Sequence, residues 1–150
     1  MKFIFAVLAV VVPVLASSCV SRDPHTGPVA APLEGPATGD YKKLEGEWTV
    51  TYCERDGKAM AGRNGFVFHF QHNRHWISGN KGYEWYAVDP SASPRTVDFY
   101  DHKEPTIRGI YRIEGRQLVV CSADPGLPRP TDFSTTPGSG RILTKTERRD

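Results

Sequence analysis

Three histidines at intervals of three, His69, His72 and His75 in the run "HFQHNRH", form the densest group of metal-capable side chains in this 150-residue chain. Side chains alternate faces along a strand, so His69 and His72 point to opposite sides and do not readily share an ion. A hairpin turn over His72-Asn73-Arg74 would instead bring His69 and His75 together across two strands as an outward pair. Such a surface pair is more often unliganded than a site. Neither a metal nor a cofactor is expected.

Thiols come next. Trp48, Val50 and Tyr52 share one face of a strand and leave Cys53 on the other; Leu118 and Val120 leave Cys121 opposite in the same way. Both thiols are expected to face outward on strands that need not be neighbours. Export would make a disulfide accessible, and strand parity argues against one. "RPTDF", Arg129 to Phe133, gathers an arginine, a threonine and an acid. It reads as anion-binding or acid–base chemistry on paper and more simply as structure: prolines stiffen the crossing, Asp132 bonds nearby backbone, and Phe133 plugs one end of the core. The "GSG" that follows has no strand-then-helix context to make it a phosphate loop. No nucleophile–base constellation can be assembled, so no catalytic residue is named and the chain is read as a non-enzyme.

The elements that must position these residues are strands. No apolar period of three and four persists over a dozen positions beyond Asp40, whereas short alternating runs recur: "GEWTVTYCE", "GFVFHFQ", "RHWISG", "YEWYAV", "RTVDFYD", "TIRGIYRI", "RQLVVCS" and "GRILTKTE". Hairpin-length connections separate them, except for the long "ADPGLPRPTDFSTTPGSG". The pattern predicts an all-β domain, a single small antiparallel up-and-down barrel of about eight strands, whose closure removes exposed edges. The expected interior carries Phe66, Phe68 and Phe70, then Tyr83, Trp85 and Ala87, then Val97 and Phe99, and finally Ile107, Gly109, Tyr111 and Ile113. A barrel of this size either fills with side chains or holds one small ligand. If it is hollow, a mouth lined by Trp76, Tyr83 and Trp85, with Phe68 and Tyr111 beneath, would suit an apolar or aromatic molecule.

The N-terminal residues set the compartment. Residues 1–18 carry one cation, Lys2, an apolar run from Phe3 to Leu15 and then small residues, the pattern of an export signal. Pro13 and the Ser17-Ser18 pair keep the run well short of the roughly 20 apolar residues that span a bilayer. Residues 19–40 are rich in Pro, Gly, Ala and Thr and read as a flexible tether, leaving 41–150 as one domain. The formal charge of +2 demands no basic face, and nucleic acid is not an expected partner.

Two resemblances add to this reading. Ala16-Ser17-Ser18-Cys19 resembles the lipobox of bacterial lipoproteins, which implies acylation of Cys19 and attachment to a membrane of the cell envelope; ordinary cleavage after Ser18 would instead give a secreted protein. Gly46-x-Trp48 at the head of the first strand resembles the lipocalin signature, which implies a tryptophan closing the barrel floor under a basic residue of the last strand, here Arg148 or Arg149. The second half, with Asp89-Pro90, Pro94, Asp98, Gly109-Ile110-Tyr111, Gly115, Leu118, Cys121, Arg129-Pro130-Thr131, Phe133 and Gly138 to Gly140, resembles a bacterial lipocalin-like family often labelled after planctomycetes. That resemblance implies a barrel in an exported setting, with no agreed activity, and a Cys121 without an obvious partner. The expected role is binding of a small apolar molecule or lipid; the alternative is a filled barrel serving as a protein-interaction or envelope-structure module.

Overall fold

The structure is a computed structural model, and it describes residues 35–79, 84–101 and 104–150. The expected export signal, Cys19, the expected tether up to residue 34 and Tyr83 lie outside the described residues. A short helix, α1 (Gly39–Leu44), leads into strands β1 (Gly46–Arg55), β2 (Lys58–Ala59), β3 (Val67–Gln71), β4 (Arg74–Ile77) and β5 (Glu84–Asp89). The chain continues through β6 (Thr96–Asp101), β7 (Glu104–Glu114), β8 (Gln117–Ala123) and β9 (Arg141–Arg148). Neighbouring strands pair antiparallel in the order β2-β1-β3-β4-β5-β6-β7-β8-β9, and β9 also pairs with β1. The result is a closed eight-strand barrel with β2 as an extra strand. Each of the eight alternating runs forms one barrel strand; β2, in what reads as a turn, is the ninth.

Closure rests on a long seam. β1 and β9 stay in register from Trp48↔Arg148 to Arg55↔Ile142, with one irregularity between Val50 and Tyr52. That irregularity is a bulge at Thr51, whose hydroxyl donates to the Lys145 carbonyl at 3.2 Å. One extra residue inverts the alternation beyond it. Tyr52 therefore stands outside, under the Lys145 ammonium, and Cys53 turns into the barrel against Thr144. The expectation of an outward Cys53 is thus corrected.

A second inversion occurs at the histidines. Gln71 pairs with Arg74, so the turn holds His72 and Asn73 alone, with His72 at φ 56°. The register then sets His75 opposite Phe70 and Trp76 opposite His69. Phe70 faces the core, and so does His75. The expected outward pair of His69 and His75 does not form, because a turn one residue shorter moves every later side chain to the other face. The shift passes to β5 through the Arg74↔Trp85 pairing. Tyr86 and Val88 enter the core in place of Trp85 and Ala87.

Most of the expected interior of β3, β6 and β7 is found: Phe70, Val97, Phe99 and Tyr111 are core residues, with Phe68, Ile107 and Ile113 packed against them, whereas Phe66, expected among them, precedes β3 and is 38% exposed. Gly109 is required on β7, since a Cβ there would lie 2.9 Å from the Cys121 carbonyl oxygen of β8 and 3.3 Å from Val97. On the outer wall, Ile110, Val119, Cys121 and Leu143 form a separate apolar cluster with Phe133 packed against it. The 124–140 segment covers this patch and does not plug the barrel, correcting the expectation for Phe133. Its Arg129 donates to the carbonyls of Val97 (3.2 Å) and Gly109 (2.7 Å) and pairs with Asp98, while Pro130 beside it is fully buried. Asp132 accepts from the Ser134 amide at 2.9 Å, and the Arg112 guanidinium stacks on Phe133. "RPTDF" is a structural clamp.

Candidate functional site

The barrel has one sealed end and one open end. At the sealed end Trp48 is completely buried, its indole N–H donating to the Leu44 carbonyl at 2.7 Å. The Arg148 guanidinium lies 4.3 Å above the indole ring and donates to the carbonyls of Glu45 and Lys43. Of the two arginines considered, Arg148 takes this place; Arg149 turns outward to Glu47. Gly46, at φ 112°, leaves room for the guanidinium, which a Cβ would approach to 3.1 Å. Helix α1 completes the floor: Leu44 is core, and the buried Asp40 accepts from the Tyr111 hydroxyl (2.6 Å), Arg95 (3.0 Å) and Lys43 (3.0 Å). Burial alone would raise the Asp40 pKa, but the Tyr111 hydroxyl, Lys43 and Arg95 outweigh it and hold the carboxyl below its ordinary value.

Toward the other end the interior is not filled. A cavity of about 230 Å³ opens between the ends of β1, β4, β6 and β8 and the beginnings of β3, β7 and β9. Its wall is mainly apolar, with Val50, Phe68, Ile77, Phe99, Ile107, Val120 and Ile142 contributed by seven different strands. Met60, Arg63 and Phe66 from the β2–β3 connection, together with Arg55, form the rim. The Arg63 guanidinium packs over the Phe66 ring at 5.6 Å, and Arg55 is ion-paired to Asp124.

Four polar side chains reach this apolar wall: Cys53, Ser122, Thr144 and His75. His75 lies at the boundary with the filled half, 4.6 Å from Phe70 in a stacked arrangement, 5.2 Å from Phe68 edge-on and 5.0 Å from Phe99. It is 4% exposed, and burial, only partly offset by a bond to the His69 carbonyl, brings its pKa down to about 4. The imidazole is neutral at physiological pH. Its Nδ1 lies 3.1 Å from the His69 carbonyl oxygen, which can only accept, so Nδ1 carries the proton and Nε2 the lone pair.

The candidate ligand residues are sorted differently from expectation. Phe68 lines the cavity. Tyr111 faces inward but belongs to the sealed floor. Trp76 and Trp85 stand on the outer wall, Trp76 stacked on His69 at 4.9 Å and Trp85 under Arg74 at 4.7 Å. Their expected place at the mouth is corrected by the short turn at His72-Asn73. The sequence reading missed His75, Cys53, Val50, Ile142 and Thr144 as lining residues. Counting alternation outward from a two-residue turn would have found His75; the Thr51 bulge that brings in Cys53 has no comparable sequence signal.

Nucleophilic chemistry gains no support here. Both thiols are free and buried; Cys121, on the outer cluster, has its pKa raised to about 11 chiefly by burial. Among the described residues no three His, Cys, Asp or Glu side chains are placed to hold a metal ion. No family model, curated protein or solved structure matches this chain.

Proposed function

We propose that this protein binds a small apolar molecule in the open-end cavity. The observation that carries this reading is the contrast within one barrel: aromatic side chains fill the sealed half, and an apolar-walled space is kept in the other. Packing in protein interiors seldom leaves voids larger than water, so a retained cavity of about 230 Å³ with an open mouth suits an occupant. It is about half as large again as the ~150 Å³ apolar cavity that accepts benzene. The ligand class is therefore compact, a single ring or a short branched chain. In the same reading, residues 1–18 export the chain and an acylated Cys19 tethers the barrel at the cell envelope, where apolar compounds arrive from lipid.

The test is to purify the protein without detergent exchange, extract it with organic solvent and analyse the extract by mass spectrometry. A stoichiometric small molecule, depleted in an extract of an Ile142→Phe variant whose larger ring narrows the cavity, supports the reading. An empty extract, together with no binding of single-ring hydrocarbons, overturns it and redirects attention to the outer wall around Trp76 and Trp85 as a protein contact.

A further inference from the structure

The cavity is not uniformly apolar, and its most buried polar group has a defined orientation. His75 is held on three sides by Phe68, Phe70 and Phe99 and tethered at Nδ1 to the backbone of β3. In an imidazole the two nitrogens diverge across the ring. With Nδ1 directed at the strand wall, Nε2 is directed away from it, toward the barrel interior, and there it can only accept a hydrogen bond. The aromatic packing leaves the ring little freedom to turn. A neutral acceptor in an apolar pocket favours a ligand that brings one donor, because a buried polar group gains most when it is paired.

Resting on the proposed binding function, we infer that the ligand is a small aromatic or branched alcohol whose hydroxyl donates to His75 Nε2 while its hydrocarbon body lies against Phe68, Phe99 and Ile142. The same geometry selects against carboxylates, which at neutral pH bring only acceptors to an acceptor. It also distinguishes an alcohol or phenol from the hydrocarbon of equal shape. Sites built to hydrogen-bond a hydroxyl reject the analogue that lacks it far better than apolar pockets discriminate by size.

The experiment uses two probes of the same shape, 4-ethylphenol and 4-ethyltoluene, titrated calorimetrically into the purified protein and into a His75→Phe variant, which keeps a ring and removes the acceptor. The expected result is that the preference for the phenol over the hydrocarbon, taken as the ratio of the two Kd values, falls about tenfold in the variant. An unchanged ratio overturns the role of His75 and leaves apolar binding standing. Binding of neither probe to the native protein overturns the binding function itself. Should His75→Phe fail to fold, the native protein labelled with ¹⁵N-histidine supplies the measurement. Saturating phenol should move the His75 Nε2 resonance upfield, as hydrogen bonding to a lone-pair nitrogen does, and the hydrocarbon should not. A resonance that stays in place at saturation overturns the inference.

Discussion

The two ends of this barrel are made from the same strands and organised by opposite means. At the Trp48 end, large side chains fill the lumen, a guanidinium covers the indole, and a helix carrying a buried carboxylate closes the floor. At the open end the barrel keeps a cavity, with His75 at its inner boundary, and the rim includes a loop with Met60, Arg63 and Phe66. The difference shows how a small domain can reconcile stability with a binding space. Burial concentrated in one half holds the barrel closed, so the other half can forgo packing. Substitutions should therefore act very differently at the two ends.

Trp48→Ala should have the largest effect. It removes a fully buried indole, its hydrogen bond to Leu44 and the stacking platform of Arg148, and should lower unfolding stability by about 3–5 kcal/mol in urea titration. A loss below about 1 kcal/mol would mean that the sealed end is not the anchor.

Acid should act next, through the boundary residue. The His75 pKa falls from 6.5 in the unfolded chain to about 4 in the folded protein, so the unfolded chain takes up the proton first. Stability should thus decrease as pH falls from about 6.5 to 4 and be unaffected by this group below that, a total of about 3 kcal/mol. Chemical denaturation at a series of pH values checks this. The same slope in His75→Phe would show that another group is responsible.

Tyr111→Phe should destabilise by about 1–3 kcal/mol, since it leaves the buried Asp40 carboxylate without its shortest donor while Arg95 and Lys43 remain. The Asp40 contribution, like that of His75, is lost on acidification: its folded pKa is lowered, so the stability it adds is present above the unfolded carboxylate pKa and is lost as pH falls through the folded one. The loss in Tyr111→Phe should accordingly shrink in strong acid.

Ile142→Phe at the open end should change stability by no more than about 1 kcal/mol, because the cavity accepts the added volume, yet weaken ligand binding at least tenfold. If it destabilises as strongly as Trp48→Ala, the contrast between the ends fails. The smallest effect is kinetic. Cys53 lines the cavity and Cys121 lies under Phe133 with a raised pKa, so site-resolved mass mapping should find alkylation faster at Cys53 and slowed there by ligand.

How legible all this was depended on distance from a turn or a bulge. The all-β class and each of the eight barrel strands could be read from alternation, because period-two patterning survives any register. Trp48 as the floor, under either Arg148 or Arg149, came instead from the resemblance carried by Gly46-x-Trp48, and only the structure chose Arg148. Faces were not: one residue fewer in the turn at His72-Asn73 and one extra at Thr51 inverted His75, Trp76, Trp85 and Cys53 together. Aromatic residues on both faces of "YEWYAV" left composition unable to signal the error.

The chain by itself determined that strands form, where the eight barrel strands lie, and which of them are bounded by tight turns, since these follow from local alternation and from glycine, proline and asparagine at the breaks. Only the tertiary structure decided which residues meet. The wall of the cavity draws one or two side chains from each of seven strands, and no local pattern records that convergence. Whether the interior fills or stays open depends on summed side-chain volume against barrel shape, and that sum exists only once β9 has closed on β1.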